Sequence, residues 1–208
     1  VSSLFVAVFP PAAAREDLYR SLPGGARLTR TSKWHVTLAF LGEVETARTP
    51  PVASAKDARP ASPTKGDMST APETTSSDNS ATSAASRNDD SPLSSVAEAL
   101  ATVVPPARFQ LRLAGGGRFG PVAWAGLAGD VQSLATLRES VRVALDGAGF
   151  AIDPRPFRPH LTVSYRQDRA LLAALDGYAG PPWPVTGFAL VESTLGNYFT
   201  RHEWPLPD

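Results

Sequence analysis

The stretch Trp34-His35-Val36-Thr37-Leu38-Ala39-Phe40 returns, with the same chemistry, as Pro159-His160-Leu161-Thr162-Val163-Ser164-Tyr165. Both carry His-x-Thr, in a chain of 208 residues with only 3 histidines. The match extends to the neighbours: Val36 corresponds to Leu161, Leu38 to Val163 and Phe40 to Tyr165. Each copy alternates along a β-branched and aromatic run, the pattern of a strand with a period of two. Strict alternation puts His35, Thr37 and Ala39 on one face, with Val36, Leu38 and Phe40 in the core. The second copy places His160, Thr162 and Ser164 together, with Leu161, Val163 and Tyr165 buried. Two strands that each aim an imidazole and a hydroxyl the same way define one site built from two similar halves.

Composition narrows the class. The formal net charge is +0, so no global basic field points to duplex nucleic acid. A small anion held by local arginines stays compatible with this. There is no cysteine, hence no disulfide, thiolate metal site or cysteine nucleophile. This fits a cytoplasmic protein. The apolar start Leu4-Phe5-Val6-Ala7-Val8-Phe9 is too short to span a bilayer and lacks the flanks of a signal peptide. It reads as a first strand. Residues 46–92 are expected to be a disordered low-complexity insertion. From Thr49 to Pro92 there is no Phe, Trp, Tyr, Leu or Ile, so little apolar surface offsets the entropy of ordering.

Outside the insertion, strands are expected over Leu4 to Phe9, His35 to Leu41, Phe109 to Leu113, Val122 to Leu127, His160 to Tyr165, Val185 to Ser193 and Asn197 to Trp204. Gly42 is expected to stop the second of these. Gly115-Gly116-Gly117 is expected to supply the turn between Leu113 and Val122. Helices are expected over Pro11 to Leu22, Leu93 to Val104, Val131 to Ala148 and Arg169 to Leu175. The third shows the clearest helical spacing, in Leu134, Leu137, Val141 and Leu145. Interspersed helices and hairpin-like strands favour an α+β fold with antiparallel sheets.

Two imidazoles at one site divide acid and base work near neutral pH, since an unperturbed histidine titrates at about 6.5. A neutral one takes a proton from water, and a protonated one gives a proton to the leaving oxygen. Thr37 and Thr162 are placed to donate hydrogen bonds to nonbridging phosphate oxygens. A cyclic phosphodiester suits such a pair, because ring opening needs only water activation and leaving-group protonation. The histidines lack metal-ligand spacing and no carboxylate cluster accompanies them, so no metal is expected.

Longer features surround the two motifs. Phe40-Leu41-Gly42-Glu43-Val44 closes the first, and Arg155-Pro156-Phe157-Arg158-Pro159 leads into the second. With these, with Leu4-Phe5-Val6-Ala7-Val8 and with Trp204-Pro205-Leu206, the chain resembles the two-histidine (2H) phosphoesterases. Within them it resembles the LigT-like RNA 2′,3′-cyclic phosphodiesterases. The resemblance implies a single bilobal, duplicated domain over residues 1–208, interrupted by the insertion, with two antiparallel β-sheet lobes around a central cleft and helices outside. It implies metal-independent and cofactor-free opening of a 2′,3′-cyclic phosphate to a 2′-phosphomonoester, with His35 as proton donor and His160 as proton acceptor. The expected partners are RNA ends or nucleotides bearing that cyclic phosphate, with no membrane, and the chain is expected to be a monomer. The family often has Arg where Ser3 and Tyr165 stand here. The phosphate-binding cation is then Arg166, Arg158 or neither. A 2′,5′-phosphodiesterase and a noncatalytic nucleotide-binding module are the alternatives.

Other residues carry plainer expectations. Trp34, opposite His35 in phase, packs in the core or at its rim. Phe5 stacks on a base or joins the core, and His202 occupies a surface strand position.

Overall fold

The computed structural model describes residues 2–44, 91–166 and 168–208. The expected insertion lies outside them, except that Ser91 caps and Pro92 begins a helix. The chain runs β1 (Ser2–Val8), α1 (Ala12–Ser21), β2 (Val36–Val44), α2 (Pro92–Ala101), β3 (Phe109–Phe119), β4 (Val122–Gly129) and α3 (Val131–Gly147). It continues through β5 (Leu161–Ser164), α4 (Arg169–Asp176), β6 (Trp183–Val185), β7 (Gly187–Thr194) and β8 (Asn197–Pro205). All the strand pairings are antiparallel, in the order β6-β3-β4-β5-β2-β1-β7-β8. The α+β, two-lobed antiparallel architecture is therefore present as one curled, eight-stranded sheet. Among the described residues, the strands of its halves, β6-β3-β4-β5 and β2-β1-β7-β8, pair at Val36 and Leu161 alone.

That single pair relates the two motifs. Val36 and Leu161 each directly follow a motif histidine, and they face each other in antiparallel register. Antiparallel pairing of equivalent residues places a local two-fold axis between them. Carried one position either way, the register sets His35 beside Thr162 and His160 beside Thr37, at cross-strand spacing.

Each half then repeats one irregularity. Ala7 faces Thr37 while Val6 faces Ala39, which leaves Leu38 as an extra residue in β2. Trp124 faces Thr162 while Ala123 faces Ser164, which leaves Val163 extra in β5. Leu38 and Val163 are equivalent positions, so the same bulge occurs twice. A bulge inverts the inward-outward phase beyond it. This corrects two expectations: Phe40 and Tyr165 do not join the core but stand 56% and 67% exposed. Ser164 leaves the histidine face for the same reason and is buried, donating its hydroxyl to Arg27 O at 2.6 Å.

Helices cover the other face. One core packs α2 and α3 against β1, β2 and β7, and the expected stripe Leu134, Leu137, Val141 and Leu145 is fully buried within it. Each such leucine contributes roughly 1.5–3 kcal/mol of transfer free energy. Asp130 starts α3 by accepting a hydrogen bond from Ser133 N at 2.9 Å. The second core packs α1 and α4 against β3, β4 and β5, and takes in Trp34. β1 is buried on both faces, which is why its sequence is a continuous apolar run.

Three boundaries differ from expectation. Gly42 does not end β2, which runs on to Val44 with Gly42 opposite Leu4. The expected strand from Val185 to Ser193 is two strands parted at Thr186, because β6 pairs with β3 in one half and β7 with β1 in the other. The glycines Gly115-Gly116-Gly117 lie inside β3, and the hairpin turns at Gly120 and Pro121. Gly115 takes a left-handed φ of 65° with open space around it, while close approach explains Gly116 and Gly117. A Cβ on Gly117 would fall 2.7 Å from Cζ2 of Trp124, and one on Gly116 would fall 2.7 Å from the Leu175 Cβ of α4. Gly116 and Gly117 are closed to larger side chains by contacts beneath them.

Gly117→Ala is expected to destabilise the fold by about 1–3 kcal/mol, the usual cost of forcing atoms into a packed site. Chemical denaturation checks this. An unchanged midpoint would show that Trp124 moves aside freely.

Candidate active site

Both histidines are oriented by the main chain. Nδ1 of His35 lies 2.6 Å from Lys33 O, and Nδ1 of His160 lies 2.7 Å from Arg158 O. A carbonyl only accepts, so in each ring Nδ1 carries the proton and Nε2 is left for a ligand. The geometry is the same twice, two residues back along each chain segment. Aromatic rings fix the planes. His35 stacks on Phe5 at 4.7 Å and meets Tyr198 edge-on at 5.6 Å. His160 meets Phe119 at 5.0 Å and Trp124 at 6.3 Å, both edge-on. The room under Trp124 is what Gly117 provides.

The histidines open onto a cleft of about 850 Å³. His35, Thr37, His160 and Thr162 all line it, so the four motif residues meet in one place. Arg158 and Arg166 do not line it. Their main chains serve instead: Arg158 O holds His160, and Arg166 N donates to the Ser164 hydroxyl at 3.0 Å. Among the described residues, the cations that line the cleft are Arg30 and Lys33, and no carboxylate lines it. Such a lining favours an anion. Arg30 precedes and Lys33 ends the short 3₁₀ turn (Thr31–Lys33) that leads into His35, and Lys33 Nζ donates to Gly196 O at the β7–β8 turn. Ser3 and Tyr165, where the resembled family often has arginine, both line the cleft.

Sequence reasoning missed Arg30, Lys33, Tyr198 and the exposed aromatics. The available signal was the pairing of Phe40 with Tyr165 in the duplicated motif, masked by the assumption of unbroken alternation. Phe5 is buried against His35, and Trp34 is buried in the core with its indole donating to Thr29 Oγ1 at 2.8 Å. His202 lies on β8 against Trp204, outside the cleft lining. Among the described residues no cluster of three His, Cys, Asp or Glu side chains has the spacing of a metal site, and no helix is long and apolar enough to cross a membrane.

Two departures from ordinary chemistry mark the site. Burial pulls the His35 pKa below 6.5; the bond to Lys33 O opposes this, and the proximity of His160 adds a smaller lowering. Leu195, at the tip of the β7–β8 hairpin, has φ of 49° and is 90% exposed on the cleft rim. The left-handed region costs a leucine roughly 1–2 kcal/mol, where Asn or Gly would sit easily.

A family described as the 2′-5′ RNA ligase superfamily matches residues 81–197. The chain belongs to this superfamily, the 2H phosphoesterases. No curated protein matches it significantly. Among solved structures, apo LigT of E. coli shares 22% identity at a TM-score of 0.62, over 100% of this chain and 98% of that one. LigT complexed with 3′-AMP shares 21% at 0.62, over 100% and 99%. TT0787 of Thermus thermophilus shares 23% at 0.61, over 98% and 97%. These neighbours show the same fold.

Two measurements test the site. His35 has a folded-state pKa below its unfolded value, so its contribution to stability is complete above about pH 6.5 and declines as pH falls toward the folded pKa. Thermal melts between pH 7.5 and 5.5 should show a loss that His35→Gln reduces; an equal loss in the variant would contradict the burial argument. Leu195→Asn should raise stability by about 1 kcal/mol by relaxing the turn, as read by denaturant titration.

Proposed function

We propose that the chain is an RNA 2′,3′-cyclic 3′-phosphodiesterase that opens a 2′,3′-cyclic phosphate to a 2′-phosphomonoester by two-histidine acid-base catalysis. The observation that carries this reading is the pair of main-chain-oriented imidazoles, each with a threonine beside it, in a cleft lined, among the described residues, by cations and no carboxylates. Membership of a phosphoesterase superfamily supports the reaction class. The nucleotide complexes of LigT support a nucleotide as ligand.

In this reading neutral His160 accepts a proton from water through Nε2 as the water oxygen bonds to phosphorus. The P–O3′ bond breaks, and protonated His35 gives its Nε2 proton to O3′. Thr37 and Thr162 donate to the nonbridging oxygens, and Arg30 and Lys33 balance the phosphate charge. The two histidines end with exchanged protonation, and solvent resets them. No proton-transfer step calls for a metal or cofactor. Burial draws His35 toward its neutral form in the empty cleft, which opposes a donor role. The anionic phosphodiester supplies the counter-charge, so the donor becomes charged with substrate in place. The 2′,5′-phosphodiesterase reading uses the same groups on a linear linkage. A noncatalytic nucleotide-binding module would keep the anion site without turnover.

With a 2′,3′-cyclic mononucleotide, His35→Ala and His160→Ala should each lower turnover by about 10²- to 10⁴-fold, with a 2′-phosphate as the wild-type product and full activity after EDTA. A folded variant that keeps wild-type turnover would remove the two-histidine mechanism. Loss of activity with the chelator, restored by a divalent metal, would remove its metal independence.

The pH profile tests the roles. The high-pH limb, where the donor loses its proton, should lie at higher pH in kcat than in kcat/KM, because kcat reports the substrate-bound enzyme. Both limbs belong to the coupled pair. Coincident limbs, with chemistry rate-limiting, would reverse the account of His35.

A further inference from the structure

The duplicated bulge produces a feature that the reaction above does not require. It turns one aromatic from each half into the cleft, Phe40 from β2 and Tyr165 from the end of β5. Each stands five residues after its motif histidine, so the two follow the same local two-fold axis as the catalytic groups. A phosphate held on that axis would lie between the two aromatic side chains. Single exposed apolar side chains are ordinary on protein surfaces, whereas their convergence in one concave site is not. Here Leu195 joins them on the rim, held there by a turn that disfavours leucine.

Tyr165 has the character of a ligand platform. The residue is 67% exposed and is absent from the core clusters. The cations Arg30 and Lys33 and the polar Asn197 and Ser193 lie along the same lining, which suits the phosphate and sugar of a nucleotide. Every nucleobase presents a π-face, so an exposed ring beside a phosphate site accepts a base with little sequence preference.

We propose that Tyr165 is the platform for a second nucleobase, across the reacting phosphate from Phe40, so that the cleft prefers a phosphodiester carrying a nucleoside on each side. This rests on the reading of the cleft as a nucleotide phosphodiester site and names its ligand class.

The test compares two ligands of equal charge by calorimetry. One is the deoxydinucleoside monophosphate d(ApA); the other is deoxyadenosine 3′-methylphosphate, in which a methyl group replaces the second nucleoside. Stacking of one base gives an expected preference of about 5- to 100-fold for d(ApA). Tyr165→Ala should collapse that ratio toward one, and Tyr165→Phe should keep it, since the ring and not the hydroxyl is used. The exposed position makes both substitutions compatible with folding, and circular dichroism verifies this. Equal affinities in the wild type, or a ratio unchanged in Tyr165→Ala, would overturn the proposal. Turnover of a 2′,3′-cyclic mononucleotide, measured beside it, separates the two ideas. Turnover without a d(ApA) preference leaves the reaction and removes the platform. A Tyr165-dependent preference without turnover keeps the platform and removes the reaction.

Discussion

Everything in the site hangs on the one place where the two half-sheets touch. A single residue pair, Val36 with Leu161, is little to hold two lobes in register. The segment just before the first motif reinforces it. Thr29 N donates to Val163 O at 2.8 Å, and the Thr29 hydroxyl donates to the same oxygen at 3.1 Å. Trp34 anchors Thr29 through its indole nitrogen, and Ser164 reaches back to Arg27 O. The chain leading into His35 is thus stitched to the strand that follows His160. Neither histidine can be positioned without the other's half. α1 strengthens the dependence: it follows a strand of one half, yet buries Leu18 against Leu171 and Leu175 with the other.

The duplicated halves are equal in backbone and unequal in environment. His35 lies between Phe5 and Tyr198 and is half-buried, while His160 meets its aromatic neighbours edge-on. A perfectly symmetric pair would share one proton indifferently. The unequal surroundings remove that equivalence, and they draw His35 toward its neutral form.

Much of this was legible in the sequence. The paired His-x-Thr segments foretold two strands meeting at one cleft, and the spacing of Leu134, Leu137, Val141 and Leu145 foretold α3 and its buried face. What escaped notice depended on register. Phe40 and Tyr165 were misplaced because an extra residue at Leu38 and Val163 inverts the alternation, and nothing local in either strand announces a bulge. The glycine run was misread because the groups that exclude a side chain there, on Trp124 and Leu175, arrive from distant elements. Arg30 and Lys33 carry no pattern of their own. They matter through where the 3₁₀ turn delivers them, whereas Arg158 and Arg166 had the proximity in sequence without the placement.

The carbonyls that hold the two imidazoles have a consequence for how such a protein can change. In a Ser-His-Asp triad the orienting group is a side chain, and one substitution removes it. Here it is a peptide oxygen, which all residue types at positions 33 and 158 supply alike. The alignment of the two imidazoles is insulated from substitution of those side chains. Exchange of either side chain leaves the carbonyl, and with it the orientation of the imidazole, in place. The orientation of the two rings is set by the main chain and the lining of the cleft by side chains, so one can drift without dismantling the other.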